Sequence, residues 1–226
     1  MKLYGFLVSP FVQRVLIAAR LKGHELAVAP PPGGRLTSAE FAEISPMRRI
    51  PVLETDDGWR LAESATIIAY LDETLDGPPL LPADPRERAH ARLVSGLVDT
   101  EIGAGSRHLI TQLIFRSCSD AGQLDYGRQQ VTHGLDALER IGVGNRGWAA
   151  GVAPGIADAA LIPALALLQI IDKDFDGNVA IGDHRPGLRA YWARARKTEI
   201  GVRTCEEMGT VVPLVMTRRA PAPGLR

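Results

Sequence analysis

The first part of the chain changes hydrophobic period several times. A nearly continuous apolar run over residues 2–8 predicts a strand that is covered on both faces. Ser9 and Pro10 then suit the N-cap and first position of a helix, and Gly23 suits its C-terminal end. Between them, apolar residues recur at helical spacing, at Val12, Val15, Leu16 and Ala19. The pattern predicts a strand followed by an amphipathic helix.

Short strand and helix signals then alternate. Residues 26–29 predict a second strand, and Thr37 with Glu40 resembles a capping box for a short helix. Strand patterns at 52–55 and 59–62 flank an Asp-Asp-Gly sequence, which is a hairpin signal. These signals add a helix and three strands to the first pair of elements.

A further helix is predicted to begin at Ser64 as its N-cap. Its apolar side is formed by Ile67, Ile68, Leu71 and Leu75. The resulting order is β-α-β-α-β-β-α, which predicts an α/β domain with a mixed sheet and helices on its faces. We assign this domain to residues 1–76.

The pattern becomes helical after a proline-rich stretch. Residues 77–85 hold several prolines and predict an inter-domain linker. Beyond it, no strand-like alternation of useful length appears, and helical segments are predicted at 86–118, 126–141, 156–171 and 188–197. We therefore expect an all-α helical bundle over 86–217 and a poorly ordered tail over 218–226.

Composition narrows the possible functions. The chain has 226 residues, and its 26 Lys and Arg balance its 26 Asp and Glu, which gives no electrostatic reason to expect nucleic acid or a membrane surface as a partner. Cys118 and Cys205 lie far apart, so a disulfide framework, a zinc site or a dithiol centre is not expected. The histidines show no ligand spacing, and we assign no metal. No spanning segment or signal peptide is recognised, so the cytoplasm is the expected compartment.

Ser9 is the first candidate for chemistry. It lies between a predicted strand and a predicted helix, where free backbone N–H groups and the positive end of the helix dipole favour an anion such as a thiolate. Its hydroxyl could donate one more hydrogen bond to that anion. On the residues alone, an ordinary N-cap is the better explanation of Ser9.

Two further sites have the same ambiguity. Ile50-Pro51 could hold a cis bond that turns the Ile50 backbone towards an extended peptide ligand, although a trans proline at a strand start is the ordinary case. Glu63 and Ser64, at a helix start, suit the ammonium and carboxylate of an amino-acid head group, although a capped helix with an acidic first turn needs no ligand.

Four motifs occur in order along the chain. They are LYGFLVSPFVQRVLIAARLKG (3–23), RRIPVLETDDG (48–58), LAESATIIAYLDE (61–73) and GIADAALIPAL (155–165). In their order and spacing, they together resemble the glutathione transferases. The beginning is most similar to the serine-type classes such as tau, theta and zeta, but it lacks the Ser-Ser-Cys start of the zeta type. The resemblance implies a thioredoxin-like first domain, a helical second domain and a homodimer.

The resemblance also implies roles for individual residues. Ser9 would stabilise the glutathione thiolate. Ile50, before a cis Pro51, would pair its backbone with the cysteinyl part of glutathione. Glu63 and Ser64 would hold the γ-glutamyl head group. Glutathione would thus be a co-substrate, and no metal would be needed.

Some positions fit the family pattern less closely. Arg49 matches a basic residue that often meets the glycyl carboxylate, but Arg48 is adjacent to it. The family often has Asn where this chain has Ser45. The capping box before the core helix usually begins with Ser or Thr, whereas here Gly155 holds that place and Asp158 retains the second. We interpret Asp158 as a structural cap.

A pocket for the second substrate is expected between Ser9 and the long helix after the linker. Gly103 and Arg107 lie one turn apart and could face it, with Phe11 on the other side. Arg107 could polarise an electrophile or hold an acidic substrate, or it could be an ordinary surface arginine. Arg14 is expected to be structural.

The favoured function is transfer of glutathione to a hydrophobic electrophile. An isomerase or an ether-cleaving lyase of the same fold is an alternative that the sequence does not separate. A non-catalytic binding protein of this fold is a third interpretation, which the presence of Ser9, Glu63 and Ser64 disfavours. A glutaredoxin-like oxidoreductase is disfavoured because position 9 is not cysteine.

Overall fold

The computed structural model describes residues 1–116 and 119–210, and its first part is built on a four-stranded sheet. The strands are β1 (Lys2–Tyr4), β2 (Ala27–Ala29), β3 (Val52–Glu54) and β4 (Arg60–Ala62), in the order β2-β1-β3-β4. β1 pairs in parallel with β2 and antiparallel with β3, and β3 pairs antiparallel with β4. The helices of this part are α1 (Pro10–Leu21), α2 (Ala39–Ile44) and α3 (Ser64–Thr74). The predicted mixed sheet with helices is confirmed.

The named elements of the second part of the described chain are helices. They are α4 (Pro85–Leu97), α5 (Ala104–Leu109), α6 (Ala121–Arg140), α7 (Ile156–Phe175), α8 (Pro186–Ala195) and α9 (Glu199–Gly209). α4 and α5 belong to one helical path, which widens into π-type turns at Val98–Gly103 and Ile110–Ile114. The prediction of a helical second half is confirmed.

The centre of the core is α7, which is buried along most of its length. α1 packs against both α3 and α7, so it joins the first part of the chain to the helical part. The apolar residues predicted for one face of α1, among them Val12, Val15 and Leu16, are all buried. Burial of this face stabilises the junction by about 25 cal/mol for each Å² removed from water.

Asp158 caps α7, as predicted. One of its carboxylate oxygens, Oδ2, accepts the Gly155 N–H at 3.1 Å. The other, Oδ1, accepts the Ala149 N–H and the Tyr191 hydroxyl, each at 2.9 Å. Burial raises the pKa of Asp158 to about 6, because desolvation outweighs these hydrogen bonds. The carboxyl thus ties the start of α7 to α8 and to the preceding loop.

Two predictions about element ends in the first part were wrong. β1 ends at Tyr4 rather than at residue 8, and a turn follows in which the Ser9 N–H donates to the Phe6 carbonyl at 2.9 Å. The apolar run continues past the strand because Phe6 and Val8 border a cavity. The cap of α2 is Ser38 rather than Thr37, since the hydroxyl of Ser38 accepts the Phe41 N–H at 3.0 Å.

Other helices also differ from the prediction, and α6 begins at Ala121 rather than at residue 126. Ser64 is the first residue of α3 and not its cap, which is Glu63. No helix was expected after residue 197, yet Thr198 caps α9 by accepting the Gly201 N–H at 3.1 Å. The buried residues of α9 are Gly201, Thr204 and Met208, spaced three and four apart, a helical pattern that the sequence analysis did not use. The tail predicted over 218–226, and Cys118, lie outside the described residues.

Candidate active site

Two adjoining cavities lie where the first part meets α4 and α5. The smaller has a volume of about 220 Å³ and a mixed polar and apolar lining. The larger has a volume of about 670 Å³ and a mostly apolar lining. Residues lining both cavities are Phe11, Arg14, Ile50, Asp99 and Arg107. The two spaces therefore form one site with a polar half and an apolar half.

The polar cavity brings together the five residues that the sequence assigned to glutathione. Arg49, Ile50, Pro51, Glu63 and Ser64 all line it. They come from two separate segments, the turn before β3 and the start of α3. They come together because the β3–β4 hairpin pairs Val52 with Ala62, which places the start of β3 next to the end of β4.

The Ser45 hydroxyl bridges the turn before β3. Ser45 is buried, donates to the Arg49 carbonyl at 3.0 Å and accepts the Arg49 N–H at 3.1 Å. Arg48 has a left-handed φ of 52° and donates to the Thr37 carbonyl at 3.3 Å, whereas Arg49 lines the cavity. The two adjacent arginines are thus directed to different surroundings. The Ile50-Pro51 bond that follows is cis.

The start of α3 has an unusual backbone. Glu63 has φ 67° and ψ 112°, a conformation that non-glycine residues rarely adopt and that is typically kept where a site requires it. Its carboxylate is exposed and, among the described residues, has no hydrogen-bond partner. Ser64 is buried beside it, and its Oγ lies 3.5 Å from the donating Nη1 of Arg14. A free carboxylate and a helix N-terminus therefore face the same cavity.

Ser9 lines the apolar cavity at the start of α1. It occupies the N-cap position in an extended conformation, with φ −73° and ψ 123°, but its side chain makes no capping hydrogen bond. The first helical N–H groups instead reach its carbonyl, from Val12 at 3.1 Å and from Gln13 at 3.0 Å. Within the described part of the chain, the Ser9 hydroxyl has no partner. It is free to bond a ligand at the positive end of α1.

Arg14 and Asp99 close the space between the two parts of the molecule. Arg14 is buried, and its Nη1 lies 2.6 Å from Asp99 Oδ1. Its Nη2 donates to the Ser95 hydroxyl, and Nη1 also reaches Ser64. This charge-assisted network supports the structural interpretation of Arg14.

The apolar cavity contains the three residues predicted for the second substrate. Phe11, Gly103 and Arg107 line it, and a Cβ at position 103 would lie 3.3 Å from Phe11 Cζ. Gly103 thus lets the helix approach the Phe11 ring closely. Arg107 is exposed, and its guanidinium has no ion-pair partner among residues 1–116 and 119–210. The far wall is formed by small and branched apolar residues of α7, including Ala160, Ala164 and Leu167.

Sequence reasoning missed Asp99 and Ser106, which also line the apolar cavity. The spacing of Asp99, Gly103, Ser106 and Arg107 is three or four residues, apart from one adjacent pair, so they share one side of a helix. That spacing was a usable signal. The sequence analysis applied it to Gly103 and Arg107 but did not extend it to Asp99 and Ser106.

Comparisons with known proteins agree with this geometry. The family model for the glutathione S-transferase N-terminal domain matches residues 3–79, and that for the C-terminal domain matches residues 86–194. A maleylacetoacetate isomerase of Pseudomonas aeruginosa is 35% identical over 73% of this chain and 80% of its own length. Glutathione S-transferase 1 of Dianthus caryophyllus is 32% identical over 73% of this chain and 76% of its own.

A solved structure supports the same assignment. Maleylacetoacetate isomerase of Methylobacterium extorquens AM1, with malonate and glutathione bound, superposes with a TM-score of 0.76 at 26% identity, covering 90% of this chain and 95% of that one. The chain belongs to the glutathione S-transferase family, as its motifs indicated. Across the described residues, no three His, Cys, Asp or Glu side chains are grouped to hold a metal ion. In that same part, each helix is too short or too polar to cross a membrane.

Proposed function

We propose that this chain is a glutathione transferase in which Ser9 activates the glutathione thiol. The observation that carries the proposal is the uncommitted Ser9 hydroxyl at the N-terminus of α1, in the apolar cavity, which adjoins a polar cavity that suits a peptide with charged ends. Family membership supports glutathione as that peptide. Ser9 is the proposed catalytic residue, because its hydroxyl can contact the reacting sulfur of glutathione.

Glutathione lies along the polar cavity in this proposal. The exposed Glu63 carboxylate pairs with the γ-glutamyl ammonium, and the Ser64 hydroxyl with the first amides of α3 binds the γ-glutamyl carboxylate. Ile50 pairs its backbone with the cysteinyl part, as an added strand does, and Pro51 shapes that turn. Arg49 binds the glycyl carboxylate.

Activation is electrostatic. A hydrogen bond from Ser9 and the positive end of α1 both favour the thiolate over the thiol. Each unit by which the thiol pKa falls requires about 1.4 kcal/mol of preferential thiolate stabilisation. The thiolate then attacks an electrophilic carbon held in the apolar cavity, and glutathione leaves as part of the product.

The second substrate is an apolar electrophile. The lining of the larger cavity supports this class, and Arg107 at its border can polarise the electrophile or hold an acidic group. The decisive experiment is conjugation of glutathione to a chlorodinitrobenzene-type electrophile by the wild type and by Ser9→Ala. We expect retained glutathione binding and a large loss of rate in the variant. Equal rates would remove Ser9 from the mechanism.

A glutathione-dependent isomerase is the second candidate. It is supported by the relatives named maleylacetoacetate isomerase and by the unpaired Arg107, which can hold a carboxylate. The same thiolate adds reversibly to a cis double bond and leaves after rotation. Turnover of maleylacetoacetate to its trans isomer, with glutathione recovered unchanged, would favour this activity over net conjugation.

Assembly and compartment complete the proposal. We propose a homodimer in the cytoplasm, on the strength of the family. Exposed apolar side chains such as Trp59 and Leu93, each 48% exposed, are consistent with a partner surface. Sedimentation should give twice the mass of one chain, and a monomer at micromolar concentration would refute the dimer.

A further inference from the structure

Ser106 is a buried hydroxyl with nothing to bond. It lies on α5, lines the apolar cavity and is 3% exposed. Among the described residues, its Oγ has no hydrogen-bond partner. Buried polar groups in native proteins nearly always have a partner, so this one requires an explanation.

The neighbouring hydroxyl at position 100 shows that the helix itself could satisfy such a group. Thr100 Oγ1 donates back to the Gly96 carbonyl at 3.1 Å, one turn earlier on the same helical path. Serine and threonine commonly make this bond inside helices. Ser106 does not make the equivalent bond, although the Ile102 carbonyl lies four residues before it in sequence. Its hydroxyl is therefore left uncommitted in the wall of a cavity.

Ser106 and Ser9 line the same cavity from different elements. Ser9 approaches from the start of α1, whereas Ser106 lies on the helix that carries Gly103 and Arg107. Most of the surrounding wall is apolar, including Ile102 and Ile110. A ligand oxygen that reached Ser106 would thus be shielded from water, and a hydrogen bond there would be strong.

We propose that Ser106 donates a hydrogen bond to the carbonyl oxygen of a conjugated aldehyde or ketone whose apolar chain fills the cavity. This inference rests on the proposed use of glutathione. The thiolate adds to the β-carbon, a carbon–sulfur bond forms, and the electron pair of the double bond moves to the carbonyl oxygen as an enolate. Ser106 stabilises that developing charge. The α-carbon then takes a proton from water, which completes the adduct.

The proposal separates two kinds of electrophile. An apolar alkenal develops negative charge on oxygen, whereas an iodoalkane of equal chain length loses iodide and develops none on a carbonyl. Ser106 should therefore matter for the alkenal and be nearly irrelevant for the iodoalkane. A residue that only packs would affect both alike.

The test compares Ser106→Ala with wild type on both electrophiles, with Thr100→Val as the matched control. We expect kcat/KM for the alkenal to fall about tenfold or more, and that for the iodoalkane to stay within about twofold. The urea midpoint of Ser106→Ala should be unchanged or higher, because an unsatisfied hydroxyl is removed. Thr100→Val should leave the ratio of the two rates unchanged.

The role of Ser106 would be overturned if Ser106→Ala left the ratio of kcat/KM for the alkenal to kcat/KM for the iodoalkane unchanged, whether both values fell equally or neither fell. A lowered urea midpoint together with equal losses would assign Ser106 to packing. Failure of the underlying function looks different, because the wild type would then conjugate glutathione to neither electrophile.

Discussion

Two serines occupy the same position at the start of two helices and have different surroundings. Ser38 and Ser9 are both N-caps with extended backbones, at φ −64° and φ −73°. The Ser38 hydroxyl accepts the Phe41 N–H at 3.0 Å and donates to the Pro32 carbonyl at 2.6 Å. The Ser9 hydroxyl makes no capping bond and faces a cavity. The residue type is the same, so what lies in front of the helix decides the role.

The acidic caps repeat this contrast. Asp84 accepts the N–H groups of Arg86 and Glu87, each at 2.9 Å, and so stabilises α4. Glu63 holds the equivalent place at α3 without any capping bond from its side chain. Ser9 and Glu63 are the caps that border the two cavities. We infer that side chains spared from capping are the ones available to a ligand.

The strongest structural cap should show the largest effect. Asp158→Ala removes the acceptor of the buried Ala149 N–H, of the half-buried Gly155 N–H and of the Tyr191 hydroxyl. We expect the free energy of unfolding to fall by about 4 kcal/mol, since each abandoned donor costs about 1–3 kcal/mol. Urea unfolding checks this. Asp120→Ala, at a helix start where Asp120 accepts only the Gln123 N–H, is the control, and a similar loss there would contradict the ranking.

The next largest effect belongs to Ser9. Ser9→Ala should lower kcat/KM for conjugation about a hundredfold, by analogy with the loss of one donor to a developing anion. Its free energy of unfolding should stay within about 0.5 kcal/mol of wild type, because no capping bond is lost. Steady-state kinetics and urea unfolding of the same preparation measure both. A destabilised variant with normal kinetics would make Ser9 an ordinary cap.

Glu63 should show a smaller effect, confined to binding. Glu63→Gln keeps the shape of the side chain but removes its charge, so we expect KM for glutathione to rise about tenfold with unchanged stability. Isothermal calorimetry with glutathione gives the affinity directly. Asp84→Ala is the converse variant, expected to lose about 1 kcal/mol of stability and no affinity. Unchanged affinity in Glu63→Gln would separate Glu63 from the glutathione site.

Ser38 should show the smallest effect. Ser38→Ala should cost about 1 kcal/mol of unfolding free energy, the usual value for a lost serine cap. Its kcat/KM should equal that of wild type, since Ser38 lines neither of the two cavities. Thermal and urea unfolding beside the conjugation assay test both statements. A rate loss comparable to that of Ser9→Ala would end the distinction between the two helix starts.

Much of the fold could be predicted because its strongest signals are local. Short-range rules predict the helix start at Ser9-Pro10, the β3–β4 hairpin and the long apolar pattern of α7. β1 ended early because apolar residues can border a cavity as well as a sheet, and periodicity does not distinguish the two. α9 was missed because two of its three buried positions, Gly201 and Thr204, are not large apolar residues.

Most of the site was predicted from motifs, and Gly103 and Arg107, which lie outside the motifs, were predicted from their helical spacing. Glu63 and Ser64 were found together, but their order at the helix start was wrong because an acidic residue with positive φ is not a usual cap. Asp99 and Ser106 face the cavity through helix geometry alone. That geometry depends on how α4 and α5 dock against α1, which is a long-range property.

The pKa of the thiol in bound glutathione tests the central claim most directly. The absorbance of the thiolate, titrated against pH with the wild type and with Ser9→Ala at saturating glutathione, gives this pKa. We predict that the wild type lowers it well below the value of free glutathione, towards neutrality, and that Ser9→Ala raises it again by about one unit or more, which is about 1.4 kcal/mol. The affinity for glutathione should be nearly the same in both. An equal thiol pKa in the two proteins would contradict the role of Ser9.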